Sequence, residues 1–247
     1  HFPAGFNYKD GYPTIYHPAP SPWGLPLRCM ISKNIKNLVF AGRNISVTHA
    51  ALSSSRVMAT CAILGQALGT AVAQAIDEGA DIRNINIAEL QDTLMSDDCY
   101  LPGKTRKISA LSEQAECSSE TVRSGKDRGE ENCWKGKPGD SIEYRLPEDT
   151  DIKCARIVFD SDLNRKYHNM PCRYTKEPEY ERFPSAVISD FEIEAEDSCG
   201  KIQRFTRTAN HQRLVHVEMN CKAKTVRLIP KKTWGAEEYR VFAFEIL

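Results

Sequence analysis

Two hydrophobic periodicities divide the chain. From Val57 to Ile76, apolar or small residues recur at 57, 58, 61, 62, 65, 68, 69, 72, 73 and 76, no Pro intervenes, and Gly79 follows. Steps of three and four gather these positions on one side of a helix running to Glu78, with Ser53-Ser54-Ser55 as candidate N-caps and Gly79 as its stop. Gly65 and Gly69 share a face with Ala62 and Ala73, which lets a strand or a ligand come close to the helix axis, at a cost of about 1 kcal/mol per interior Gly relative to Ala. Before the helix, Asn37-Leu-Val-Phe-Ala-Gly42 is a short apolar run bounded by polar residues, the pattern of a strand buried on both faces. After it, residues 87–94 read as a shorter amphipathic helix. Residues 1–24, rich in Pro, Gly and aromatics, have neither period and read as a surface or cleft-lining segment.

Beyond residue 104 the period becomes two. Residues 141–146, 152–159, 187–195, 214–219, 225–229 and 240–247 are short alternating runs separated by turn residues, as in an antiparallel sandwich, and no long helical pattern interrupts them. Charge marks the same divide. Residues 1–103 hold 15 charged side chains and residues 104–247 hold 51, roughly 15% against 35%. The segment Tyr100-Leu-Pro-Gly-Lys-Thr-Arg-Lys107 has the turn signals of a connector, so a boundary near Gly103 is predicted, with domains at 1–103 and 104–247. The fold class expected is an α/β fragment followed by an all-β jelly-roll sandwich.

Composition narrows the chemistry. The 33 basic and 33 acidic residues cancel and no stretch concentrates one sign, which leaves no footprint for nucleic acid or an anionic membrane. The 57–76 run carries Thr60, Gln66, Thr70 and Gln74, so it is read as a buried helix rather than a membrane span. The nine cysteines stand at least 16 residues apart, without a Cys-x-x-Cys pair, which argues against a zinc or iron–sulfur site. Their odd number, with Cys61 and Cys154 in apolar segments, favours free thiols and a cytoplasmic location; one or two disulfides are the alternative. The first residue is not Met and residues 1–12 lack a signal core, so the chain reads as a fragment or a processed product.

A buried strand ending in Ala41-Gly42, a loop and then a helix start aims backbone N–H groups and a positive helix end at an anionic or electron-rich ligand. The residues sharpen that general signal: Asn37-Leu-Val-Phe-Ala-Gly-Arg-Asn-Ile-Ser46, Thr48-His49, Ser55-Arg-Val-Met58 and Gly65-Gln-Ala-Leu-Gly-Thr70, preceded by Leu25-Pro-Leu-Arg28 and Lys33-x-Ile-x-Asn37. This block resembles the C-terminal part of the FAD-binding domain in the FAD-dependent oxidoreductase family, with Ser32 where that family usually has Pro and Ser53 where Gly is common. The resemblance implies a Rossmann-like FAD domain to which this strand and helix return. It implies that Gly42, Arg43 and Asn44 follow the pyrophosphate and ribityl chain, and that Ser55, Arg56, Val57 and Met58 open the helix facing the flavin. A small residue permits close approach and a guanidinium offers paired bonds to phosphate. The implied activity is hydride transfer from a small organic substrate to FAD. No Gly-x-Gly-x-x-Gly follows a strand here, so the N-terminal half of the cofactor site is expected on a missing N-terminal part of the same protein, and the isolated chain is expected to bind FAD weakly.

His49, just after the loop, is the candidate acid or base, with a backbone-bonded structural His as the plainer reading. His1 and His17 are weaker candidates in the aromatic stretch. The Asn44-Ile-Ser46 sequon falls inside the cofactor loop, where a glycan would not fit. Asp160-Ser-Asp162-Leu-Asn164 begins like a calcium loop, but Arg165 and Pro171 occupy the positions of its Gly and Glu, and His211 and His216 alternate across a strand, so no metal site is predicted. The second half resembles a galactose-binding-like jelly roll, on Trp134, Gly139-Asp-Ser-Ile-Glu-Tyr144, Ile157-Val-Phe-Asp160 and the closing Val226-Arg-Leu-Ile229, Thr233-Trp-Gly235 and Arg240-Val-Phe242. Trp134 and Trp234 are then either packing residues or a sugar platform, and a carbohydrate-binding or targeting module is the alternative function.

Overall fold

The computed structural model describes residues 22–162 and 183–247. They belong to two compact units, His1–Lys104 and Thr105–Leu247. His1, His17 and the span from Arg165 to Pro171 lie outside the described residues.

The first unit is helical. Helices α1 (His49–Ser55), α2 (Met58–Asp77) and α3 (Ile87–Ser96) follow an irregular segment that contains a 3-10 turn at Leu27–Met30. Leu64, Leu68, Ala71 and Ala75 of α2 cluster with Leu90 and Leu94 of α3 and with Met30, Ile45, Ile82 and Ile85 from the connections. Asn86 caps α3, its Oδ1 accepting from the Ala88 and Glu89 amides at 3.0 and 3.4 Å.

Three expectations are corrected here. Residues 37–42 do not form a strand buried on both faces: Leu38 is exposed, and the backbone makes only an antiparallel bridge between Ile31 and Val39. A doubly buried strand needs a hydrogen-bonded neighbour on each side, and among the described residues only the 30–32 segment pairs with this run. The helical stretch is also broken in two. The Ser53 hydroxyl donates to the Ala50 carbonyl, and those of Ser54 and Ser55 both donate to Ala51, at 2.7 to 3.1 Å. These side chains compete for the carbonyls of the last turn instead of capping a new one, and the chain leaves helical geometry at Arg56 and Val57. Finally, α2 is buried along one stripe only. It is long and apolar enough to cross a membrane, only 22% of its apolar 18-residue window is buried, and Met58, Ile63 and Ile76 are 90%, 50% and 72% exposed.

The second unit is an antiparallel sandwich. Strands β1 (Glu116–Cys117), β2 (Trp134–Gly136), β3 (Ile142–Phe159), β4 (Ile188–Glu196), β5 (Ile202–Arg207), β6 (Leu214–Thr233) and β7 (Tyr239–Ile246) follow a short helix, α4 (Ala110–Gln114). Four of the alternating runs in the sequence merge into β3 and β6, which pair along most of their length and carry register shifts near residues 145–150 and 152–154. The shifts let both strands bend from one layer into the other. Residues 142–145 of β3 pair with the end of β6, which continues to β4 and β5, and Tyr144 and Arg145 also pair with β1, while residues 155–159 pair with β7, which continues to β2.

Tyr144 against Phe244 (ring centroids 5.4 Å apart) and Phe159 against Phe191 (5.2 Å) join the layers across the core. The Tyr144 hydroxyl donates to the Phe244 carbonyl at 2.7 Å, and burial pushes its ionisation well above the ordinary tyrosine range. The outer face of the β3–β7 layer is buried as well. There Arg156 and Glu245 meet Arg106 and Asp127 from the segment before β2: Arg106 Nε lies 2.9 Å from Asp127, Arg156 Nη1 lies 3.3 Å from Asp127 and 3.6 Å from Glu245, and Arg106 also binds Glu245. Two guanidiniums and two carboxylates cancel inside the protein, which is the condition for keeping any of them there.

Candidate functional site

Residues 42–48 form a loop fixed at several points. The Phe40 amide donates to the Met30 carbonyl at 2.7 Å, the Ser46 amide donates to Cys29 at 2.8 Å, and Ile45 is buried in the core of the first unit. Gly42 has φ +112°, a conformation that L residues rarely adopt, and a Cβ there would meet only the Asn44 Oδ1, at 3.7 Å. The glycine is therefore required by the backbone turn and not by crowding. Between the fixed points, Arg43 and Asn44 are exposed.

Thr48 ends the loop by capping α1, its Oγ1 accepting from the Ala51 amide at 3.3 Å. His49, the first residue of α1, is exposed. Ser55 is buried, with its hydroxyl bonded to Ala51. Arg56, Val57 and Met58 are exposed at the start of α2, whose N-cap position is Val57, a residue with no side chain to satisfy the first amides. A 20-residue helix thus opens toward solvent with uncapped N–H groups, an electropositive end suited to an anionic or electron-rich ligand. Exposure of its side chain or its helix end is what His49, Arg43, Asn44, Arg56, Val57 and Met58 share; Ser55 differs, contributing to the helix break.

Among the described residues, two hollows with lining residues in common adjoin the loop. One, of about 820 Å³, reaches from Leu25–Cys29 past Asn44 and Ser46 to Arg83 and Gln91. The other, of about 480 Å³, is lined by Trp23, Val47, Thr48 and Ala51 and shares Leu25, Pro26, Cys29 and Ser46 with the first.

In the second unit, Trp134 packs against the core with its ring over Gly136. Trp234 is different: it is 39% exposed, its Nε1 donates to the Asn210 carbonyl at 2.7 Å, and its ring stands 4.4 Å from His211 and 5.7 Å from Phe183. Among the described residues no cluster of three His, Cys, Asp or Glu side chains is arranged to hold a metal ion. The eight described cysteines are free, and burial pushes the Cys133 thiol up to about 12.

Sequence reasoning missed three groupings. The pairing of Phe183 and His211 with Trp234 joins three loops and left no local trace. The basic wall of the larger hollow, Arg28, Lys33 and Arg83, is equally non-local. The buried charge cluster did leave a signal, because Arg156 and Glu245 each interrupt an apolar strand run, and a lone charge inside such a run calls for an opposite partner.

Residues 2–94 match the family model described as FAD dependent oxidoreductase. No curated protein matches the chain. Among solved structures, the chain is similar to the family 32 carbohydrate-binding module from Streptococcus pneumoniae EndoD, at 11% identity over 56% of this chain and 99% of that one, with a TM-score of 0.43. It is also similar to a Streptococcus pneumoniae fucose binding module, SpX-3, at 13% identity over 57% and 98% of the two chains, with a TM-score of 0.40. A third is CpGH89CBM32-5 from Clostridium perfringens, in complex with GalNAc-β-1,3-galactose, at 14% identity over 56% and 99%, with a TM-score of 0.38.

Proposed function

We propose that this chain, whose residues 2–94 match the FAD dependent oxidoreductase family, supplies part of the FAD site of an oxidoreductase that removes hydride from a small organic substrate. The observation that carries this reading is the uncapped, solvent-facing start of α2, preceded by a loop whose turn at Gly42 leaves Arg43 and Asn44 free to reach outward. These features fit the cofactor: exposed amides and a guanidinium suit its phosphates, and a positive helix end favours the negative charge of its reduced ring. When bound, FAD supplies the hydride acceptor. The chain's own residues would orient it, and His49, exposed at the start of α1, would take or return a proton. On this reading the chain supplies part of the site, and its own affinity for FAD is expected to be weak.

The test is an amide NMR titration of the chain with FAD. Saturable shifts concentrated at 42–44 and 56–60 are expected; shifts confined to 105–247, or none at millimolar FAD, would contradict the assignment.

A second reading applies to the sandwich. Trp234, with His211 and Phe183 beside it, offers a partly exposed aromatic surface of the kind on which the apolar face of a sugar stacks. Quenching of Trp234 fluorescence by a galactoside, lost in Trp234→Ala and retained in Trp134→Phe, is the expected sign of carbohydrate binding there.

A further inference from the structure

The larger hollow of the first unit has an unequal charge. Among the described residues, three side chains on its wall are cationic, Arg28, Lys33 and Arg83, and none is a carboxylate. Asp81, which does not line it, lies 3.6 Å from Arg83 and offsets one charge. Arg83 is further held by donating to the Ser32 carbonyl, whereas Arg28 and Lys33 are exposed. Such a wall raises the local concentration of anions and offers a carboxylate paired, charge-assisted hydrogen bonds.

The rest of the lining specifies the body of that anion. Leu27, Ile31, Phe40, Ile82 and Ile87 give apolar surface, and Asn44, Ser46 and Gln91 add neutral hydrogen-bonding groups. A volume of about 820 Å³ lies within the roughly 300–1,000 Å³ range of small-molecule sites. Of the three loop residues assigned to the cofactor, Gly42 and Arg43 are not on this wall; Asn44 is, as is Ser46 of the same loop. The anion pocket therefore begins where the proposed cofactor loop turns away, and its apolar walls do not suit a pyrophosphate.

We infer that this hollow is the substrate pocket and that the substrate is a small carboxylic acid with an apolar body, its carboxylate held by Arg28 and Lys33. The inference rests on the flavin reading for its catalytic meaning and on the pocket alone for its binding. Its test uses the 247-residue chain labelled at Ile methyl groups, titrated with 4-phenylbutyrate, its neutral amide, and inorganic pyrophosphate.

Saturable shifts at Ile31, Ile82 and Ile87 with 4-phenylbutyrate are expected, with affinity about tenfold lower for the amide and about tenfold lower in Arg28→Gln/Lys33→Gln. The two substituted side chains are exposed, so the variant keeps its fold, checked by unchanged shifts elsewhere. Equal binding of acid and amide, preference for pyrophosphate, or no response at these methyls would each overturn the inference. In parallel, FAD shifts at 42–44 are expected to persist in the double variant. Their absence in the parent chain, with the phenylbutyrate response retained, would overturn the flavin reading and leave an anion pocket; the reverse would overturn the pocket alone.

Discussion

Glu245 is 1% exposed; it accepts from the Arg106 guanidinium and, at 3.0 Å, from the Ser109 amide, and it lies 3.6 Å from the Arg156 guanidinium. Removing its charge takes away one of the two carboxylates that Arg106 and Arg156 share, Asp127 being the other. Glu245→Gln is therefore expected to destabilise the second unit by about 3 kcal/mol, read as a lower urea midpoint, and an unchanged midpoint would mean that the cluster is more hydrated than its burial indicates. Glu143 makes a gentler case nearer the surface. Partial burial would raise its pKa, but hydrogen bonds from Arg227 and Arg145 outweigh burial and hold the carboxyl below the ordinary glutamate value of 4.5. Because the folded state depresses this pKa, its contribution to stability is complete above about pH 4.5 and is lost as pH falls through the folded value. Urea midpoints measured from pH 6 downward are expected to fall more steeply for the parent than for Glu143→Gln; identical profiles would remove Glu143 from the account.

The elements show where local sequence decides structure and where it does not. Asn86 and Thr48 act as caps because each is followed by amides that its oxygen reaches, and Asn86→Ala is expected to cost about 1 kcal/mol, seen as faster hydrogen exchange in α3. Residues 87–94 announced that helix by amphipathic spacing alone, and the alternating runs after residue 104 announced the strands of the sandwich. What misled was context. Ser53, Ser54 and Ser55 have the chemistry of N-caps, but they follow α1 closely enough to bond back to its carbonyls and end it. Residues 37–42 have the composition of a central strand without the neighbours that would make them one. The continuity of β3 and β6 was hidden by polar residues at their bends, and β5 by an edge position where only Phe205 is half-buried. Of the candidate site, the loop and the helix start were legible in the motif around Gly42, Arg43 and Arg56. The basic wall of Arg28, Lys33 and Arg83 was not, since no local pattern encodes residues brought together from 28 to 83.

For the whole molecule, the two units differ in how completely they bury themselves. Among the described residues, the core of residues 105–247 and the ion-pair partners of Arg106, Arg156 and Glu245 lie within that unit. Expressed alone, residues 105–247 are expected to give a β-rich circular dichroism spectrum and one cooperative urea transition; a non-cooperative loss of signal would show that the sandwich depends on the rest of the chain. The first unit leaves Met58, Ile63 and Ile76 of α2 exposed, together with the helix start and the loop to which the cofactor is assigned. That assignment is tested most directly by photolabelling the chain with an azido analogue of FAD and mapping the modified peptides by mass spectrometry. Label concentrated in the peptides covering residues 42–58, and competed by unlabelled FAD, is the expected result; label confined to residues 105–247, or spread along the chain without competition, would contradict it.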